Sequence, residues 1–345
     1  MKPTLMGWSR WDASLHSGAN LSLLRSLDRF VTLKLVNPVQ GWFGLWQTPG
    51  INLPILMYHS ISNESEDGVP AYYRLCTSPG RFAEQMYCLK EFGFQGVTLS
   101  EGLAWLDRNR SKVGVIGRPR PIAITFDDGF LDFYQEALPV LRQCGFRATL
   151  YLPTAFIGDS RRSFQPRAAG TAARALGRPC LTWTEVADLV AEGIEIGSHT
   201  VTHPELLRLS WEERGEEIRV CKEEIEQRFG IPVRSFSHPY AFPSEERDYV
   251  RRLGQLLASV GYESAVTTRI GVAQSRTPRL ALPRLPISGA DDRAMLIAKV
   301  RGAYNWMGSI QSCVRRCRRL KERLGRRPWV LARKERGQVP AEADA

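Results

Sequence analysis

Two adjacent carboxylates, Asp127 and Asp128, follow the apolar run Pro121-Ile122-Ala123-Ile124 and precede Gly129 in the stretch TFDDGF. Taken alone, such a pair is usually a cap or a turn. Its companions change that reading. The chain has five histidines, at 16, 59, 199, 203 and 238. Four of them sit in short polar motifs: MYHSI at 57–61, GSHTVTH at 197–203 and SHPYAF at 237–242. His199 and His203 are four apart, and on a helical turn both rings would share one face and chelate. Two imidazoles and one carboxylate make a three-ligand site with a position open to water, the arrangement of a catalytic metal. Zn²⁺ is the default ion, and Co²⁺, Ni²⁺ and Fe²⁺ suit the same donors. One aspartate would then bind the metal. The other would take a proton from a water whose pKa the ion lowers to about 7. Hydrolysis also needs an acid on the leaving-group side and an oxyanion stabiliser, from the metal and a backbone N–H.

Something must hold these motifs together. From Ile51 to about Leu296, short apolar runs alternate with helical patterns. Strands are expected at 55–58, 122–125, 148–151, 194–197, 235–237 and 264–266. Helices are expected near 78–91, 132–143, 184–192, 211–229 and 245–260. Glycines 93, 145, 193, 230 and 261 mark helix ends. Strand and helix alternating this often predict an α/β fold with parallel strands, and strands apolar on both sides fit a sheet covered by helices. In such folds, reactive residues gather at the C-terminal ends of strands. All four polar motifs follow expected strands. Residues 158–180, rich in Arg, Ala and Gly, read as a mobile insertion or lid.

At 345 residues, 43% hydrophobic and 24% charged, the composition is that of a soluble globular protein. No run of eighteen apolar residues suggests a membrane span, and the first twenty residues lack the apolar core of a secretory signal. Seven cysteines at scattered spacing read as free thiols in a reducing compartment. The expected location is cytoplasmic, either free or peripheral at a membrane. The net charge of +11 is uneven: residues 296–345 hold 13 Lys/Arg against 4 Asp/Glu. The rest is nearly neutral, which argues against nucleic acid as a partner of the main domain. In the tail, Ile310, Cys313, Val314, Cys317, Leu320 and Leu324 recur at helical steps among arginines and lysines. That is a basic amphipathic helix. It would lie on an anionic membrane, or pack on the body with its basic face in water. Three parts follow: an N-terminal extension 1–50, a catalytic domain 51–295 and a basic tail 296–345.

The motifs TFDDG at 125–129, SHTVTH at 198–203 and SHPYAF at 237–242, with the lead-in GIEIGSHTVTHPEL at 193–206, resemble the polysaccharide deacetylases (carbohydrate esterase family 4, the NodB homology domain). The resemblance covers about residues 51–290. It implies a distorted (β/α) barrel and metal-dependent removal of acetyl groups from N-acetylated sugars. By motif match, Asp127 is the base, Asp128, His199 and His203 hold the metal, and Tyr240 supplies the oxyanion-hole N–H. The chain departs from the pattern in three places. The family's third motif is R-x-P-[YF]-G, but Ser237 stands where Arg would be and Ala241 where Gly would be. The late Leu-x-His is missing, because no histidine follows His238. His59 in PILMYHSI takes its place, similar to the permuted subgroup that includes the poly-N-acetylglucosamine deacetylases, where an early His is the general acid. Arg284 in LPRLPI would supply the missing guanidinium that orients Asp127. His238 either lines a sugar pocket or merely packs. The implied substrate is an N-acetylated polysaccharide, such as an exopolysaccharide, or a glycolipid. The rival readings are a metal-dependent amidase on a non-sugar amide and an inactive carbohydrate-binding homologue.

Overall fold

The computed structural model describes residues 27–38, 52–64, 76–110, 119–164 and 177–325. Eight strands carry the architecture: β1 Ile55–Tyr58, β2 Phe94–Val97, β3 Arg120–Phe126, β4 Thr149–Leu152, β5 Glu195–Ser198, β6 Ser235–Ser237, β7 Ser264–Ile270 and β8 Leu282–Pro286. Seven of them close into a barrel, in the order β1-β3-β4-β5-β6-β7-β8 and back to β1, with every pairing parallel. β2 pairs with β3 outside the ring. The fold is the (β/α) barrel that the motifs imply. All six expected strands are barrel staves. β8 was not anticipated from its pattern: LPRLP has two prolines and an arginine, a composition that reads as loop.

The helices are α1 Pro79–Glu91, α2 Leu99–Arg108, α3 Leu138–Cys144, α4 Trp183–Ala191, α5 Trp211–Phe229, α6 Arg247–Ser259, α7 Arg293–Val300 and α8 Asn305–Gly325. Local sequence starts and stops them. Ser78 caps α1, with Pro79 in its first turn. Capping boxes Thr98/Glu101, Thr182/Glu185 and Ser210/Glu213 open α2, α4 and α5.

The two-residue period of each strand sorts its side chains between two cores. Ile55, Ala123, Tyr151, Val266 and Leu282 form one cluster with Leu53 and with Leu99, Leu103 and Leu106 of α2. This cluster fills the N-terminal half of the barrel. Their strand neighbours Leu56, Ile122, Ile124, Leu150, Ile196 and Leu285 join the larger core between barrel and helices.

Two of the expected borders gain detail. Within the extension 1–50, residues 27–38 form a helix, π-wound at Val31–Val36. It is tied to the body by Arg29 to Asp292 at 3.0 and 2.6 Å, Tyr304 to Asp28 at 2.8 Å and Trp306 to Thr32 at 3.1 Å. Packing continues past 295. α7 crosses that position and buries Met295, Leu296, Ile297, Ala298 and Val300, because its neighbours cover it on more than one side. The rest of 1–50 lies outside the described residues. So do residues 165–176 of the expected 158–180 insertion, whose described ends pair as Ser163–Phe164 with Arg178–Pro179. Among the described residues, no disulfide joins any of the seven cysteines. Among the described residues, no helix is long and apolar enough to cross a membrane.

Candidate active site

Strand alternation predicts which residues reach the barrel axis. Ala123 points inward, so Thr125 and Asp127 do as well, at the C-terminal mouth. By the same rule Ser235 and Ser237 of β6 and Arg284 of β8 face them. The geometry agrees. Arg284 grips Asp127 with both arms of its guanidinium, Nη1 to Oδ1 at 2.8 Å and Nη2 to Oδ2 at 2.7 Å. Its Nε donates to the Thr267 carbonyl at 3.1 Å and its Nη1 to Thr125 Oγ1 at 3.2 Å. Ser237 Oγ sits between the two, 3.2 Å from each. Arg284 is 1% exposed and Asp127 2%. Burial alone would raise the Asp127 pKa, but Arg284, joined by His199 and His59, outweighs it and holds the carboxyl well below the usual range. The small Ser237 leaves the space that the guanidinium of β8 fills.

His59 follows β1 on the inward phase. Its Nε2 is 3.8 Å from Asp127 Oδ2, too far for a hydrogen bond, and its side chain is 20% exposed. Burial pushes its pKa down, against the pull of Asp127 and Asp128. A lowered pKa makes the imidazolium a stronger acid and a rarer one.

Asp128, His199 and His203 are buried, with donor atoms all within 4.8 Å of one another. Asp128 Oδ1 lies 3.5 Å from His199 Nε2 and 3.4 Å from His203 Nε2, and has no hydrogen-bond partner. His199 Nδ1 is 2.8 Å from the Ser237 carbonyl. A carbonyl only accepts, so Nδ1 carries a proton. Burial lowers the His199 pKa, but Asp128 and Asp127 outweigh it and raise it, and a cation at Nε2 would take the place of the second proton. Burial pushes His203 down to about 4, so its ring is neutral at pH 7. Three lone-pair donors converging in a buried space, one of them orphaned, fit a divalent cation. The two histidines do not achieve this on a helix, as their spacing suggests. They lie on a loop whose turns are made by Thr200 at φ 67° and His203 at φ 53°. Among the described residues, the non-glycine residues with positive φ are Asp128, Thr200, His203 and Tyr240, and all four lie in this site. Backbone strain of this kind persists only where surrounding contacts over-determine it, and it concentrates at functional sites.

A family model described as polysaccharide deacetylase matches residues 115–264. The chain carries a polysaccharide deacetylase domain. That domain makes it an enzyme, a carbohydrate deacetylase. The Bacillus subtilis (strain 168) protein YxkH, named for the same family, is 29% identical over 236 residues, 68% of this chain and 71% of YxkH. The fold is similar to that of the Streptococcus pyogenes deacetylase PplD, solved with acetate, at TM-score 0.57 and 23% identity, covering 73% of this chain and 99% of PplD. IcaB from Ammonifex degensii matches at TM-score 0.56 and 22% identity, covering 73% and 98%.

The matched stretch of the deacetylase domain holds Asp127, Asp128, His199, His203 and Tyr240, but neither His59 nor Arg284. The barrel brings both to Asp127 nonetheless. The Tyr240 ring lies 4.7 Å from that of His203, and Phe164 of the insertion lies 5.0 Å from it on centroids. His238 is one step past Ser237, so alternation turns it outward. It packs against Phe242 and places Nε2 3.1 Å from the Tyr249 hydroxyl. It lies on the opposite side of β6 from Ser237 and Asp127. Sequence reasoning missed Glu217. This α5 carboxylate accepts the Val201 and Thr202 N–H groups at 2.9 Å each and so braces the histidine loop. No local signal separates it from the other acids of that helix.

Proposed function

We propose that the enzyme hydrolyses the N-acetyl group of an N-acetylated sugar in a polysaccharide or glycolipid. The observation that carries this reading is the Asp127–Arg284 pair set beside the Asp128/His199/His203 cluster. A divalent ion held by those three residues, Zn²⁺ by default and Co²⁺, Ni²⁺ or Fe²⁺ with the same donors, would polarise the acetyl carbonyl and acidify a water. Asp127, kept ionised and oriented by Arg284, accepts the proton of the attacking water. His59, the more exposed partner across the mouth, delivers a proton to the departing sugar amine. The Tyr240 N–H meets the oxyanion. PplD was solved with acetate, the small product that such a reaction leaves.

Acetate release from N-acetylglucosamine oligomers tests the reading, run after chelation, after Zn²⁺ or Co²⁺ is restored, and with Asp127→Asn. The expected result is metal-dependent acetate that Asp127→Asn abolishes while still binding metal. Acetate release untouched by both chelation and Asp127→Asn would overturn it.

We further infer that the deacetylase rests on an anionic membrane surface. Leu27, Phe30 and Leu35 of the N-terminal helix and Ile310 and Val314 of α8 are large, apolar and about half exposed. The two helices meet through Trp306 and Thr32. Lys34 and Arg316 are exposed beside this surface, and the tail's basic surplus favours anionic headgroups over a neutral partner. In flotation, the full chain should rise with phosphatidylglycerol vesicles and not with phosphatidylcholine, and Phe30→Ser with Ile310→Ser should stay down. Equal flotation of variant and wild type would end this reading, and so would failure of the wild type to float.

A further inference from the structure

We propose that α8 is a strut for the loop that carries Tyr240, and that Gln311 and Arg315 are positioning residues for the deacetylation. This rests on the reading of Tyr240 as the oxyanion-hole donor.

The loop after β6, residues 238–242, has no strand or helix of its own. It must still hold Tyr240 at φ 56°, a conformation that a tyrosine adopts only under constraint. The constraint comes from two places. Thr268 Oγ1 accepts the Phe242 N–H at 2.9 Å and donates to the Tyr240 carbonyl at 3.2 Å. Arg315 of α8 donates through Nη1 to the Phe242 carbonyl. The backbone on both sides of the Tyr240–Ala241 bond is therefore pinned.

Thr268 needs its own support, because the β7–β8 register shifts between Val266 and Ile270. Gln311 spans that irregularity. Its Nε2 donates to the Thr268 carbonyl at 3.1 Å, and its Oε1 accepts the Ile270 N–H at 3.1 Å. The primary amide behaves there as a piece of adjoining strand. α8 must come very near β7 to do this. Gly308, one turn earlier, permits it: a Cβ there would lie 2.2 Å from the Ile270 carbonyl oxygen. Gly308, Gln311 and Arg315 fall three and four residues apart, so one face of α8 meets the barrel. All three lie beyond the stretch that the family model matches, residues 115–264. In this chain Ala241 stands where the family motif has glycine, and the strut supplies rigidity to a loop with that change.

The test uses the full chain with Gln311→Ala, Arg315→Ala, Arg315→Lys and Gly308→Ala. Three quantities are read: kcat and KM for acetate release, bound metal, and hydrogen exchange over residues 238–243. The expected result is a fall in kcat of about 10-fold or more for both Gln311→Ala and Arg315→Ala. That is part of the ~10²–10³ attached to a whole oxyanion donor. KM and metal content should hold, exchange in the loop should rise, and Arg315→Lys should recover most of the rate. Gly308→Ala, which displaces the helix from its backbone side, should raise loop exchange in the same way. Unchanged kcat with unchanged exchange in both alanine variants overturns the strut. So does a parallel change in kcat and KM that Arg315→Lys does not rescue, since that marks a general loss of structure. If the wild type releases no acetate, the exchange arm still decides the strut, while the deacetylase reading fails separately.

Discussion

Arg284 is the residue on which the centre turns. It is fully buried, and among the described residues Asp127 is its one carboxylate partner. A buried charge left without its partner costs about 3–5 kcal/mol. Arg284→Gln should therefore lower unfolding stability by roughly that amount, and it should lower kcat because Asp127 loses its orientation. Arg284→Lys keeps the charge but loses the two-armed grip, so it should recover stability better than rate. An unchanged urea midpoint for Arg284→Gln would refute this account. The aspartates and histidines were legible in the sequence because four of only five histidines fall in short polar motifs and the aspartates stand side by side after an apolar run. Arg284 was visible only through the gap that Ser237 leaves in a known pattern. Its partner is 157 positions away, and no local signal encodes that pairing. Glu217 left no trace at all, because its role depends on which turn of α5 faces the loop.

Among the elements, the strands were the most legible, since short, largely buried runs of three to seven residues alternating with helical patterns have few other readings. Alternation then says more than the runs do. It sends Asp127, Ser237 and Arg284 to the axis, and it turns His238 into the helix layer. The histidine pair shows where spacing misleads. Four residues apart is a helical interval, but Thr200 and His203 in left-handed conformations bring the rings to 4.6 Å on a loop. Positive φ in such residues is not written in their types. β5 also carries a steric requirement. A Cβ at Gly197 would lie 2.4 Å from the Tyr151 ring and 3.1 Å from the Ser235 carbonyl. Tyr151 cannot yield easily, because its hydroxyl is held 2.6 Å from Ser235 Oγ inside the barrel. Gly197→Ala should cost about 1–3 kcal/mol by overpacking, read as a lower denaturant midpoint. A midpoint equal to that of the wild type would show that the ring relocates freely.

At the scale of the whole molecule, the class of fold was legible and its borders were not. An α/β repeat announces parallel strands, but nothing in it marks where the body ends. Residues 27–38 hold few signals of helix start or stop, yet they dock through Asp28, Arg29 and Thr32. Charge suggested a tail from 296, while burial carries the body through Tyr304. α8 belongs to both, with one face on β7 and the other carrying Ile310 and Val314 outward.

The filled N-terminal half of the barrel has a consequence for traffic. Leu53, Tyr151, Val266 and the leucines of α2 stopper that end, so nothing threads through. On the proposed reading, a glycan would present its acetamido group from the mouth, and acetate would depart by the way the group came in. The two products would share one doorway.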